Sequence, residues 1–241
     1  MTIAGKTILV TGANRGIGQA LVTEALNRGA TRAYAGTRQP LAHPDPRVTP
    51  LTLEVTNPAQ IQAAADQIDA LDLLINNAGI WLYDDLGDRA MLERHLAVNF
   101  YGPWGVTQAL LPLLIRSRGT IVNNVSLMAL AALPLTPAYS ASKAAAFSLT
   151  QSLRALLASR GVRVHAVLTG PVDTDMTRGF DIPKASPASV ARAIFDGVEA
   201  GEEDIFPDPL SASLADGWRD GVAKAFERQN AALAQAQPAT A

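Results

Sequence analysis

A short β-rich run, Thr7-Ile8-Leu9-Val10-Thr11, is followed at once by Gly12-Ala13-Asn14-Arg15-Gly16-Ile17-Gly18. The chain must leave a strand, turn sharply and enter a helix within that span, and few arrangements allow it. Gly12 can take the tight turn at φ > 0. Gly16 leaves no Cβ where a diphosphate would approach the backbone, and Gly18 lets the helix lie close to the sheet. The helix N-terminus then presents free N–H groups and the positive end of its dipole. From Ile17 to Arg28 the apolar residues Ile17, Leu21, Val22, Ala25 and Leu26 recur at a helical period, and Gly29 ends the run. A strand, glycine turn and helix in this order point to a dinucleotide site, with Asn14, Arg15 and Ile17 grouped with the three glycines.

The rest of the chain alternates. Arg32 to Gly36, Val48 to Val55, Leu71 to Ile75, Thr120 to Val125 and Val162 to Leu168 read as strands. Pro58 to Ile68, Arg89 to about Ile115, Tyr139 to Arg160 and Pro187 to Ala200 read as helices, the second bent near Pro103 and Pro112. Pro40, Pro44, Pro46 and Pro50 leave little room for a helix between the second and third strands, so a loop is expected. Asp204 to Phe206 reads as short and extended, a last helix starts near Leu210, and residues 231–241 read as a frayed tail. Alternating strands and helices predict a doubly wound parallel α/β sheet covered on both faces, with ligands at the carboxyl ends of the strands. A chain of 241 residues, 48% hydrophobic, suffices for one such domain and falls short of two. One catalytic domain over residues 1–241 is expected, with a small lid over 175–190.

Several function classes are disfavoured. The formal net charge is -2 and no Lys/Arg run stands out, so neither nucleic acid nor an anionic membrane surface is an expected partner. No apolar stretch approaches the length of a membrane span, and the first ten residues read as a strand and not as a signal peptide. A soluble cytoplasmic protein is expected. Cysteine is absent, which removes disulfides and thiol chemistry. His43, His95 and His165 lack metal-ligand spacing, so they read as packing residues and no metal is expected. Asp84, Asp85 and Asp88 read as capping or solvated groups, and Glu202, Glu203 and Asp204 as an exposed turn.

A dinucleotide site that prefers NAD carries an acid about 20 residues past the glycines, bonded to the ribose 2′-hydroxyl. The corresponding run here is Ala35-Gly36-Thr37-Arg38-Gln39, without a carboxylate. Arg38, joined by Arg15 from the loop, can grip a 2′-phosphate in a fork that an acid would repel. The expected cofactor is therefore NADP(H).

Tyr139 and Lys143 stand four apart and share one helix face. A free phenol is a poor acid–base catalyst at neutral pH, and a nearby ammonium stabilises its phenolate and lowers its pKa. The pair can give a proton to a carbonyl oxygen or take one from an alcohol. With these residues assembled, the sequence resembles the short-chain dehydrogenase/reductase family over nearly its whole length. Gly12, Gly16 and Gly18 match its glycine signature, Asn76-Asn77-Ala78-Gly79 its second motif, and Asn99, Ser126, Tyr139 and Lys143 its catalytic tetrad.

The resemblance implies a Rossmann-type fold. It implies that Ser126 bonds the substrate oxygen, Tyr139 exchanges the proton, Lys143 holds the nicotinamide ribose and tunes Tyr139, and Asn99 holds a relay water. It also implies cofactor contacts at Glu54 and Val55 near the adenine, at Asn77, Ala78 and Gly79, and at Gly170, Val172 and Thr174 near the carboxamide. One departure stands out: Thr169 occupies the place of the family's usual proline ahead of Gly170. Trp81, Leu127, Met128, Leu133, Met176 and Phe180 flank these motifs as a candidate apolar pocket, which suits a neutral hydrophobic ketone or secondary alcohol. The alternatives are an imine reductase or other chemistry on the same fold, or a non-catalytic NADP(H)-binding regulator. The resemblance also implies a closed symmetric homo-oligomer, a tetramer ahead of a dimer.

Overall fold

The computed structural model describes residues 1–39 and 42–236. Pro40 and residues 237–241 of the expected tail lie outside them. Seven parallel strands form one sheet: β1 (Thr7–Thr11), β2 (Arg32–Thr37), β3 (Val48–Thr52), β4 (Leu73–Asn76), β5 (Thr120–Asn124), β6 (Arg163–Val167) and β7 (Asp204–Ile205), in the order β3-β2-β1-β4-β5-β6-β7. The order reverses between β1 and β4, where Val10 lies opposite Ile75. In an open α/β sheet that crevice is where ligands bind. Pro50 sits within β3 opposite Ala35. An edge strand tolerates its missing N–H, as a central strand would not.

The apolar strands are buried on both sides because successive side chains point to opposite faces. Ile8, Val10, Leu73 and Ile75 pack with Leu21 and Ala25 of α1 (Gly16–Asn27) and with Ile194 and Phe195 of α6 (Pro187–Ala200). Leu9, Leu74 and Ile121 go the other way, against Leu110 and Leu114 of α4 (Gly102–Ser117) and Leu153 and Leu157 of α5 (Pro137–Leu157). Ile61 and Ala64 of the shorter α2 (Pro58–Ala65) join that face, and α3 (Arg89–Leu96) packs against α5. Caps appear where proline follows a polar residue: Asn57 accepts from the Gln60 N–H at 3.1 Å, and Ser186 from the Ser189 N–H at 3.1 Å.

Three expectations are corrected. The single helix from Arg89 to about Ile115 is interrupted by a π turn, Ala97–Tyr101, which separates α3 from α4. Pro103 falls in the first turn of α4, directly after that π turn, and Pro112 lies inside α4. The last helical region is three helices, α7 (Pro209–Ala212), α8 (Ala215–Arg219) and α9 (Val222–Ala236), so residues 231–236 of the expected frayed tail are helical. Finally, Asp204 is not in an exposed turn. It is buried on β7, paired with Arg154 at 2.7 Å and Lys224 at 2.7 Å, and takes the Trp218 indole N–H at 2.7 Å. α9 packs against α5 and brings Lys224 to this edge strand.

Candidate active site

The glycine turn has the shape its residues suggested. Gly12 has φ +66°, and a Cβ there would stand 3.0 Å from the Ala78 Cα. A Cβ on Gly18 would lie 2.1 Å from the Gly12 carbonyl oxygen and 2.7 Å from the Asn77 amide nitrogen, so only glycine fits. Thr11 closes the other side: its hydroxyl accepts the N–H groups of Asn77 and Ala78, each at 3.0 Å. No side chain caps the start of α1, which leaves its first N–H groups free toward the strand ends. Ile17 packs into the core behind it, and Asn14 is exposed.

The two arginines have separate partners. Arg15 pairs with Asp175 at 3.1 Å, both exposed, and the exposed Arg38 lies 3.8 Å from the half-buried Glu54; such pairs contribute little to stability. Arg178 also pairs with Asp175. Val55 is buried beneath Glu54.

Asn99 and Lys143 meet at Gly79, Tyr139 adjoins Lys143, and Ser126 adjoins Tyr139. A Cβ on Gly79 would meet the Asn99 Oδ1 at 3.3 Å and the Lys143 Nζ at 3.7 Å. Asn99 sits on the π turn, buried, and its amide is used on both sides: Oδ1 accepts the Ile80 N–H at 2.9 Å, while Nδ2 donates to the Ile80 carbonyl and the Ser142 hydroxyl, each at 3.0 Å. The extra residue of a π turn re-aims one side chain out of helical register. Ser126 follows β5, where its hydroxyl accepts the Met128 N–H at 3.1 Å. Tyr139 and Lys143 project from the first turns of α5 with Lys143 Nζ 5.7 Å from the Tyr139 ring centroid. Lys143 donates to the Asn124 carbonyl at 2.9 Å.

The electrostatics differ from expectation. Burial pushes the Tyr139 phenol up to about 12, with a hydrogen bond to Ser126 working the other way. Burial lowers Lys143 to about 8. The expected lowering of Tyr139 by the ammonium is absent in the protein alone, because desolvation of the phenolate dominates.

Among the six candidate pocket residues, Trp81 and Phe180 meet edge-on with centroids 5.2 Å apart. Tyr83, which the sequence did not single out, joins them 4.6 Å from Trp81. Leu127 is instead a core residue, buried with Val125, Phe147, Ala166 and Leu168, and Met128 packs against that cluster. Leu133 and Met176 are exposed.

A segment from Ile80 to Asp84 carries the aromatic pair and is pinned at alternate residues. Ile80 is held by Asn99, as above. The Leu82 N–H donates to Nε2 of the fully buried His95 at 3.2 Å, and the Asp84 carboxylate takes the Ala138 N–H at 3.0 Å at the start of α5. Asp85 and Asp88 accept nearby N–H groups, from Gly87 at 2.9 Å and Ala90 at 2.8 Å.

The short chain dehydrogenase family matches residues 6–184, a span that contains every one of these elements up to the segment after β6. The chain belongs to the short-chain dehydrogenase/reductase family. The chain is 40% identical over 186 residues to the short-chain dehydrogenase PC-15 of Penicillium crustosum, 70% of this chain and 66% of that protein. It is 31% identical over 230 residues to the oxidoreductase UcpA of Escherichia coli (strain K12), 85% of this chain and 88% of that one. A short chain dehydrogenase from Burkholderia cenocepacia J2315, solved in complex with NADP, superposes with a TM-score of 0.87 at 35% identity, covering 95% of this chain and 98% of that one.

This short-chain dehydrogenase also uses groups that no motif announced. Asp208, buried beyond β7, accepts the Gly170 N–H at 2.7 Å and so holds the turn after β6. Val172 is buried and bridges to Ala185, and the Thr174 hydroxyl donates to the Val172 carbonyl at 3.4 Å. Among the described residues no group of three His, Asp or Glu could hold a metal, and no helix is long and apolar enough to cross a membrane.

Proposed function

We propose that this oxidoreductase is an NADP(H)-dependent carbonyl reductase acting on neutral hydrophobic ketones, reversible toward secondary alcohols. What carries the reading is the run of contacts from Ser126 to Tyr139 to Lys143, with Lys143 beside Gly79 at the strand ends. The glycine turn and the uncapped start of α1 fit a diphosphate. Arg15 and Arg38, whose carboxylate partners among the described residues are the exposed Asp175 and the half-buried Glu54, suit a 2′-phosphate. Glu54 and Val55 would meet the adenine side. Asn77, Ala78 and Gly79 would line the ribose side, and Gly170, Val172 and Thr174 the carboxamide. When bound, the nicotinamide supplies or accepts the hydride.

The chain's own residues handle the proton. A phenol held at about 12 stays protonated at neutral pH, so Tyr139 is ready to donate to a carbonyl oxygen as negative charge develops there. Ser126 steadies that oxygen with a second hydrogen bond. The phenolate left behind is stabilised by the Lys143 ammonium, and Asn99 on the π turn fixes a path for the returning proton. Trp81, Tyr83 and Phe180 offer an aromatic wall, and the only nearby guanidinium on the proposed lid, Arg178, is occupied by Asp175. Such a wall favours apolar surface and has no means of offsetting the desolvation of an anion.

The experiment follows NADPH and NADH oxidation against aryl ketones, small polar ketones and a β-keto thioester. NADPH with the aryl ketone is expected to give the highest kcat/KM. Tyr139→Phe should lose about 10²–10⁴-fold in turnover, the range of a general acid, with NADPH affinity retained. Equal use of the two cofactors, a polar ketone or thioester preferred by more than about tenfold, or a Tyr139→Phe protein of parental activity would each overturn its part of the reading.

A further inference from the structure

Thr169 stands where the family resemblance leads to proline, and the structure shows what its hydroxyl does. Its Oγ1 donates to the Asn124 Oδ1 at 2.7 Å. The Asn124 Nδ2 donates to the Asn77 Oδ1 at 3.0 Å. The Asn77 Nδ2 in turn donates to the carbonyl oxygens of Thr11, at 3.0 Å, and Gly12, at 3.4 Å. Three side chains thus bridge the carboxyl ends of β6, β5, β4 and β1, and end on the glycine turn.

The direction of this chain is forced. Backbone carbonyls only accept, so the end of Asn77 that faces Thr11 and Gly12 must be its NH₂ group. Asn77 therefore shows its oxygen to Asn124, which must answer with NH₂ and show its own oxygen to residue 169. Only a donor can complete the run. Threonine supplies one; proline, with neither hydroxyl nor N–H, does not. All the dipoles point the same way, so each bond polarises the next.

Asn124 is also the residue whose backbone carbonyl holds the Lys143 ammonium. The Thr169 carbonyl accepts the Leu127 N–H at 3.1 Å and the Ser126 hydroxyl at 3.5 Å. The next N–H, of Gly170, is fixed by Asp208. One pair of residues therefore touches the supports of Lys143, Ser126, the glycine turn and the turn before Val172.

We propose that Thr169 and Asn124 form a positioning pair, which sets the glycine turn and the Ser126–Lys143 side of the site in a common register for dinucleotide binding and turnover. Neither is a catalytic residue; both act through the groups they hold. The inference rests on the reading of the site given above, and its test is arranged to fail separately.

The test uses the full chain with Thr169→Val, which keeps the shape and removes the donor, Thr169→Ser, which keeps the donor, and Asn124→Ala. NADPH Kd is read by fluorescence in the absence of substrate, and kcat and KM by turnover. Thr169→Val is expected to weaken NADPH binding severalfold and to lower kcat about tenfold, with the ketone KM little changed, since losing one donor strands a part-buried acceptor and breaks the run at its end. Thr169→Ser should stay within about twofold of the parent. In the Asn124→Ala background, Thr169→Val should cost little more, because both remove the same chain. An unchanged NADPH Kd in Thr169→Val, equal impairment in Thr169→Ser, or additive losses would overturn the pairing. Tyr139→Phe measured alongside separates the two claims. An active Tyr139→Phe protein sinks the catalytic reading while the Kd series still decides the pair. A dead one with a parental Thr169→Val protein sinks the pair alone.

Discussion

Two lysines of this chain are buried under opposite conditions, and the contrast separates the part of the molecule built for chemistry from the part built for cohesion. Lys143 is 6% exposed, and its ammonium is met by the Asn124 carbonyl. Among the described residues no carboxylate pairs with it, and burial lowers it to about 8. Lys224, 2% exposed, is met by Glu203 at 2.9 Å, Asp204 at 2.7 Å and Glu227 at 2.9 Å. Arg154 joins the same cluster through Asp204 and Glu227. Burial works to raise the Asp204 carboxyl, but Arg154 and Lys224 overcome it and hold the group below its ordinary value. At the strand ends a cation is left uncompensated, ready to stabilise a new negative charge. Where α9 meets α5 and β7, Arg154, Lys224, Glu203, Asp204 and Glu227 already have partners.

The widest gap between the two should appear in Lys143→Met. Turnover is expected to fall at least about 10²-fold, the lower end of what an acid–base group contributes. Thermal unfolding should nonetheless move upward, since an unpaired buried charge is replaced by an apolar side chain of similar length. A Tm below the parent's would show that Lys143 is stabilising after all and would dissolve the contrast.

Lys224→Met should do the reverse. It removes the cation shared by three carboxylates, leaving Asp204 and Glu227 to share Arg154 and Glu203 without its partner, and breaking a buried pair from one side costs about 3–5 kcal/mol. For a chain of this size that is a drop on the order of 10 °C. The turnover of the protein that remains folded should stay near parental. A Tm within a degree of the parent's would mean that the cluster is better solvated than its burial indicates.

The smallest effect is a pH dependence. Because the folded pKa of Lys143 lies below the ordinary value of 10.5, the folded and unfolded chains both hold the proton below about pH 8 and the destabilisation is fully present. Between about pH 8 and 10.5 the folded protein releases the proton first. The unfolded chain then binds more protons, and stability rises with pH through this lysine. The stability advantage of Lys143→Met should therefore be constant below about pH 8 and shrink above it. Urea titrations of the two proteins across that range would show it, and an advantage that grew with pH would contradict the assignment.

Much of the site could be read because its signals are local. The glycine turn follows its strand directly, and Tyr139 and Lys143 share a helix face by spacing alone. Asn57 and Ser186 announce helix starts through the proline that follows each. The groups that support the site had no such signal. Asn124 and Thr169 end neighbouring strands with a helix between them. Asp208 reaches Gly170 from beyond β7, and Asp84 reaches the Ala138 N–H from the far side of α3 and α4. A parallel sheet brings such residues together through crossovers, and crossovers leave no periodicity joining their ends. Asp204 was misread for the same reason. Beside Glu202 and Glu203 it reads as an exposed acidic run, and its burial comes from Arg154 and Lys224, which lie far from it in the chain.

The amino-acid sequence by itself determined the alternation of strands and helices, the glycine turn and the shared helix face of Tyr139 and Lys143, because each of these depends on residues within a few positions of one another. Tertiary structure alone decided which charges are paired, how Asn77, Asn124 and Thr169 link the strand ends, and the environments of Tyr139 and Lys143. The physical reason is that proton affinity and polar satisfaction depend on the solvent removed and the partners supplied, and both arrive only when distant segments pack.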